Sequence, residues 1–187
     1  MLFRSNGFTD PILAFRADNG KDYPYALRHN LIDQIKSLKK KFPDYESFKN
    51  ADMTIIFDSE QLDEAIKLEV NTLSSLILIN NGNFNFEVKL LPIEAQFSPI
   101  YAIAAEDFDN DGDQDIVLGG NLYSVKPEVG RYDASYGVYL ENDGNMNFKS
   151  FKNGKGFKLN GEIRDISINN KKLIVARNSD SLAIFKY

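Results

Sequence analysis

Leu78-Ile79-Asn80-Asn81-Gly82-Asn83-Phe84-Asn85-Phe86 returns 62 residues later as Leu140-Glu141-Asn142-Asp143-Gly144-Asn145-Met146-Asn147-Phe148. In both copies an apolar run enters an Asn-Gly or Asp-Gly pair and leaves through Asn-x-Phe. Such a pair between apolar runs is the strongest short-range hairpin signal, because it supplies the positive φ that tight type I′ turns require. A fixed internal period marks a repeat architecture, so each copy reads as one supersecondary unit packed on its neighbours.

A second set of matches extends the unit. Asp115-Ile116-Val117-Leu118-Gly119-Gly120-Asn121 resembles Lys172-Leu173-Ile174-Val175-Ala176-Arg177-Asn178, and Asp10-Pro11-Ile12-Leu13-Ala14-Phe15 reads as a third copy. The middle copy resolves into four strands, Tyr101–Ala105, Asp115–Leu118, Tyr136–Leu140 and Asn147–Phe151. The last copy supplies three, Ile163–Ile168, Lys172–Ala176 and Leu182–Phe185, and the first another three, from Pro11, Leu73 and Phe84 onward.

Asp10 and Asp115 are 105 residues apart, 43 more than one repeat, which places an insertion inside the first copy. Its texture is helical. Leu27, Leu31, Ile35, Leu38 and Phe42 step by three or four, one stripe of an amphipathic helix that Pro43 ends. Asp58-Ser59-Glu60-Gln61 reads as a capping box opening a second helix through Leu68, with Leu62, Ala65 and Ile66 inward. The expectation is a single domain over 1–187, with copies at 1–18 plus 70–92, 98–152 and 161–187, and a helical insertion at 22–69.

Composition narrows the chemistry. The chain has 187 residues, 43% hydrophobic and 26% charged, which suits one soluble domain with a sizeable core. A net charge of −5 argues against nucleic acid as partner, since phosphate binding needs clustered Lys and Arg. Cysteine is absent and His29 is the one histidine, so disulfides, thiolate chemistry and His-clustered metal sites are excluded. No run approaches the ~20 apolar residues of a membrane span. Met1-Leu2-Phe3-Arg4, followed by turn-like Ser5-Asn6-Gly7, does not read as a signal peptide.

The sharpest motif is Asp107-Phe108-Asp109-Asn110-Asp111-Gly112-Asp113-Gln114-Asp115. Side-chain oxygens at positions 1, 3, 5 and 9 converge on a point, Gly112 allows the sharp bend, and Asp113 donates its backbone carbonyl. Ca²⁺ is the natural guest, a hard ion that takes six to eight oxygens in flexible geometry. An EF-hand is disfavoured, because position 12 is Leu118 rather than Glu and strand-like residues flank the loop.

Ala105 through Asn121, with this loop at its centre, resembles a VCBS or FG-GAP repeat, the integrin-α-like β-propeller unit. The resemblance implies a mainly β fold, a partial β-propeller of four-stranded antiparallel blades, about two and two-thirds of them here. It implies Ca²⁺ held by Asp107, Asp109, Asp111, Asp113 and Asp115 in the loop joining the first two strands of a blade. Gly130-Arg131-Tyr132-Asp133-Ala134-Ser135-Tyr136-Gly137 adds a likeness to the C-terminal part of secreted bacterial VCBS-repeat proteins, so upstream blades are expected to be missing. The chain departs from the pattern at both ends. Leu2 and Arg4 stand at loop positions 1 and 3 ahead of Asn6-Gly7-Phe8-Thr9-Asp10, and the last copy has Asn169-Asn170-Lys171 instead of an acidic loop.

The expected function is a non-enzymatic, Ca²⁺-binding scaffold for adhesion or ligand binding outside the cytoplasm. Arg131, Tyr132 and Asp133 offer charge, stacking and acceptor groups to a carbohydrate or protein ligand. Uncovered blade faces are expected to be met by other copies of the chain or else by the helical insertion folding back. Self-association is preferred because the 43-residue insertion is small for two faces. The rivals are a propeller enzyme acting on polysaccharide, its active site on this or a missing blade, and a purely structural remnant. Glu94 and Glu106 can be cast as a carboxylate pair for hydrolysis, with nothing in the sequence fixing their separation.

Overall fold

The computed structural model describes residues 2–3, 10–127, 129–151 and 154–187. The chain is mainly β, built from small antiparallel sheets with a few short helices. It divides into two compact units, Met1–Asn71 and Thr72–Tyr187. Among the described residues no helix is long and apolar enough to cross a membrane.

The first unit opens with two antiparallel strand pairs, β1 (Leu2–Phe3) with β2 (Asp10–Pro11) and β3 (Ala14–Arg16) with β4 (Asp22–Pro24). The degenerate loop read from residues 4–9 lies outside the described residues. Five short helices follow: α1 (Arg28–Gln34), α2 (Leu38–Lys41), α3 (Tyr45–Phe48), α4 (Met53–Ile56) and α5 (Ser59–Glu64).

The long helix expected across Leu27 to Phe42 is therefore two. The chain leaves helical geometry at Ile35, with φ −124° and ψ 89°, and re-enters at Leu38. In an unbroken helix residues 28 and 42 would be about 21 Å apart. The break lets the Arg28 guanidinium donate to the carbonyls of Phe42, at 2.7 and 2.9 Å, and Pro43, at 2.6 Å. The apolar stripe survives because the break keeps its phase. Leu31, Ile35, Leu38 and Phe42 are buried with Ile12, Met53, Ile56 and Phe57, whereas Leu27 is half-exposed.

Asp58 and Gln61 do form the capping box that starts α5, and Leu62 and Ala65 pack on the core. The helix stops at Glu64 rather than Leu68, which turns Ile66 out to solvent.

Asp52 anchors this unit. Its side chain is 1% exposed, caps α4 through the amides of Thr54 and Ile55, and takes the Lys21 ammonium at 2.6 Å. Lys21, then the Thr54 hydroxyl, hold its carboxyl at about 2 against an ordinary 3.8. A depressed carboxylate stabilises the fold fully above its unfolded value and loses that contribution as pH falls through the folded one. Asp52→Ala is expected to cost about 2 kcal/mol, as removal of a cap and a buried acceptor. The deficit should shrink between roughly pH 4 and pH 2, read by urea titration of both proteins across that range.

Among the described residues the second unit holds three sheets in chain order. β5 (Leu76–Asn80) and β6 (Phe86–Leu90) form a hairpin. β7 (Ile100–Glu106), β8 (Asp115–Gly120), β9 (Val138–Asn142) and β10 (Phe148–Ser150) form a four-stranded antiparallel meander. β11 (Ile163–Ile168), β12 (Lys172–Arg177) and β13 (Ala183–Lys186) form a three-stranded one. The strands drawn from the sequence in the middle and last copies are each present within two residues.

The two segments assigned to a first copy, 1–18 and 70–92, lie in separate sheets and in different units. The insertion drawn at 22–69 likewise begins with a strand, β4. What repeats at 62 residues is the hairpin: β5–β6 corresponds to β9–β10. Both turns are longer than the two-residue type I′ form. Gly82 and Gly144 take φ 83° and 78°, and Phe84 and Met146 follow at 59° and 58°. Asn80 and Asp143 brace the turns by accepting from the amides of Gly82 and Asn145.

The four-stranded sheet has two apolar faces. Val117 and Tyr139 look toward Ile163, Ile166, Leu173 and Val175 of the last sheet, where β11 packs on β7 and β8. Leu118, Val138 and Leu140 look the other way, toward Leu91 and Ala95 just beyond β6. Lys89 of β6 reaches the Asn145 carbonyl and the Asn147 side chain, each at 3.2 Å.

Candidate metal centre

The acidic loop joins β7 to β8, and its own hydrogen bonds shape it. Asp107 accepts from the amides of Asp111, at 3.1 Å, and Gly112, at 3.2 Å, while Asp111 accepts from the Asp113 amide at 3.1 Å. Asn110 and Gly112 take φ 62° and 101°, turning the chain back on itself. Carboxylate oxygens of Asp107, Asp109 and Asp111 then lie within 4.8 Å of one another.

The structure brings together three of the five acids read from the sequence and gives the others different work. Asp115 is fully buried: one oxygen accepts from the Tyr139 hydroxyl at 2.6 Å, the other from the Asn142 amide at 2.9 Å. Burial, then the bond to Asp115, pushes the Tyr139 phenol up, so it remains a donor. The Asp113 carboxylate is not part of that cluster and lies beside Gly144, where a β-carbon would stand 3.1 Å from Asp113 Oδ2. Its Oδ1 is buried with no hydrogen-bond partner among the described residues. Burial and the carboxylates of Asp111, Asp115, Asp143 and Asp109 raise its affinity for a proton.

Sequence reasoning missed Lys155. Its ammonium lies 3.1 Å from Asp109 Oδ2, pairs also with Glu141, and sits 5.0 and 5.2 Å from the ring centres of Phe151 and Tyr139. The hydrogen bond from Lys155 is the main reason the Asp109 carboxyl lies below its ordinary value. Nothing around Lys155 in the sequence signals this, because it reaches Asp109 across 46 residues. A cavity of about 300 Å³ opens beside Asp109 and Lys155, walled by Phe108, Tyr139, Phe185 and Tyr187.

Arg131, Tyr132 and Asp133 are exposed on the loop between β8 and β9. Among the described residues no ion pair joins Arg131 to Asp133. Arg131 instead lies 5.3 Å from the centre of the Tyr123 ring, and the Tyr132 backbone bridges Leu122. Two buried polar residues hold the base of the loop. Asn121 bonds Ser135 at its amide and carbonyl and also the Gly161 carbonyl. Glu162 accepts from the Tyr123 amide, Arg164 and Asn178. Glu94 lines a separate cavity of about 170 Å³ with Lys158 and Tyr136 that does not include Glu106.

Comparison with protein-family models, curated proteins and solved structures finds no match to this chain. The geometry of the site therefore carries the functional argument.

Tyr139→Phe leaves the buried Asp115 carboxylate one donor short. A loss of about 1–3 kcal/mol is expected, measured by chemical denaturation, with no change expected in the circular dichroism of the native protein.

Proposed function

We propose that residues 72–187 are consecutive blades of a β-propeller-type array, that the β7–β8 loop binds Ca²⁺, and that the array is a non-enzymatic binding scaffold working outside the cytoplasm. The observation that carries the metal reading is the convergence of Asp107, Asp109 and Asp111. Oxygens on opposite sides of one Ca²⁺, each ~2.4 Å away, are about 4.8 Å apart. Three carboxylates within that span suit a single ion.

The donor set is all oxygen, as a hard cation prefers. Asp107, Asp109 and Asp111 supply the carboxylates and Asp113 its backbone carbonyl. Asp115 stays behind the loop as its anchor and adds negative field. The ion offsets the mutual repulsion that otherwise strains the loop. Extracellular modules bind Ca²⁺ at about 10⁻⁴–10⁻³ M, which fits a calcium-rich compartment.

The propeller reading is supported by the recurring hairpin and by the packing of β11 on β7 and β8. The scaffold reading is supported by Arg131, Tyr132 and Asp133, which stand exposed on a loop braced by Asn121 and Glu162 and suit a carbohydrate or protein ligand.

Isothermal titration should show one Ca²⁺ site in the millimolar to submillimolar range that Asp109→Ala removes. Thermal stability should rise with Ca²⁺ in the parent protein alone. Absence of binding at millimolar Ca²⁺ rejects the reading. Lys155 competes with the ion for Asp109. Lys155→Gln is expected to tighten Ca²⁺ binding roughly 2- to 5-fold, the worth of a partly exposed ion pair, measured in the same titration.

A further inference from the structure

The β5–β6 hairpin turns one face toward the four-stranded sheet, through Lys89, and the other away from it. The register pairs Leu76 with Leu90, Leu78 with Val88 and Asn80 with Phe86, which puts these six side chains on the outward face. That face carries no charge, in a chain whose net charge is −5. Leu78, Phe86, Val88 and Leu90 are 47–68% exposed. Ile103 of β7, on the side of the next sheet that carries Leu118, is 65% exposed as well.

The opposite flank of this unit is built differently. The outward face of β11–β13 carries Asp165, Ser167, Lys172 and Lys186 around Ile174 and Ile184, the mixed surface of a sheet that meets water. The uncharged apolar surface therefore lies on the β5–β6 side, and a contiguous patch of this kind on a soluble protein marks an interaction site.

We infer that the outward face of β5–β6 is the interface of a two-fold dimer of this chain. A two-fold contact sets the same patch on both copies, so each residue it uses must tolerate its own neighbourhood. This patch meets that condition on charge: being neutral, it brings no like charges together, whereas a self-contact through β11–β13 would bury Asp165, Lys172 and Lys186. It meets it on size too. The apolar side chains of each copy at roughly 50–100 Å² each, with their backbone, bury on the order of 1,000 Å² over the pair, the threshold of a specific interface. Facing hairpins pack as two small sheets about 10 Å apart, with Leu78, Phe86 and Val88 at the centre.

The dimer does not depend on calcium, so sedimentation equilibrium in EDTA over the micromolar range tests it alone, whatever the fate of the metal site. Twice the chain mass is expected for the parent protein, and the chain mass for Val88→Lys and Leu78→Lys. Both side chains are exposed, so the native circular dichroism should match the parent's, and the melting temperature should match that of the parent diluted to where it is monomeric. A parent protein that remains monomeric overturns the inference, since the face is then covered within one chain or by another protein. So does a dimer that both lysine variants leave intact, and so does an open-ended series of larger species, the mark of head-to-tail contact.

Discussion

A carboxylate buried without water must find its hydrogen bonds in the protein, and Asp115 finds them on the neighbouring strand. Its two oxygens take the Tyr139 hydroxyl and the Asn142 amide, which pins the start of β8 to β9. The end of the acidic loop is fixed by the same bond, because Asp115 is both its last residue and the first of β8. Tyr139, held in this way, presents its ring to Phe108 on one side and to the Lys155 ammonium on another. The sheet, the loop and the cation beside Asp109 thus share one anchor. Its cost is electrostatic, since a buried charge is tolerable only when fully bonded.

Around that anchor the loop concentrates negative charge. Asp109 is relieved by Lys155, and Asp143 in the next turn by the Asn147 side chain. Asp113, whose Oδ1 is buried with no partner among the described residues, holds its proton more readily than an isolated carboxyl. Asp107, Asp109 and Asp111 converge closely enough that they could hold a cation, and the Lys155 ammonium already faces Asp109. The proposed Ca²⁺ would have to compete with that lysine for Asp109.

The first unit solves its problem with a different carboxylate. Asp52 caps a helix of only four residues and draws in Lys21 from the β3–β4 hairpin. Helices this short have no stability of their own, so caps and packing must supply it. Arg28, clamped on the Phe42 and Pro43 carbonyls, does the same for the broken α1–α2 pair.

Periodicity and turn chemistry are local, and the sequence carried them well. Strands at Ile163–Ile168 and Lys172–Arg177 follow from alternating apolar residues, the α5 start from its Asp58–Gln61 box, and the repeated hairpin from its Asn-Gly and Asp-Gly pairs. The acidic loop was equally plain, because its five acids alternate over nine residues. Assignments that needed distant partners were not legible. The break between α1 and α2 follows from an arginine reaching two carbonyls, and the separation of 1–18 from 70–92 from which strands find each other's edges. Asp115 and Asp109 look alike in the motif, yet one is sealed beneath Tyr139 and the other faces Lys155 from across 46 residues. Sequence determined which residues form strands, turns and an acidic loop, since backbone preference and side-chain period act between near neighbours. Tertiary structure alone decided which carboxylates converge and which brace, because burial and pairing are properties of what the rest of the chain brings alongside.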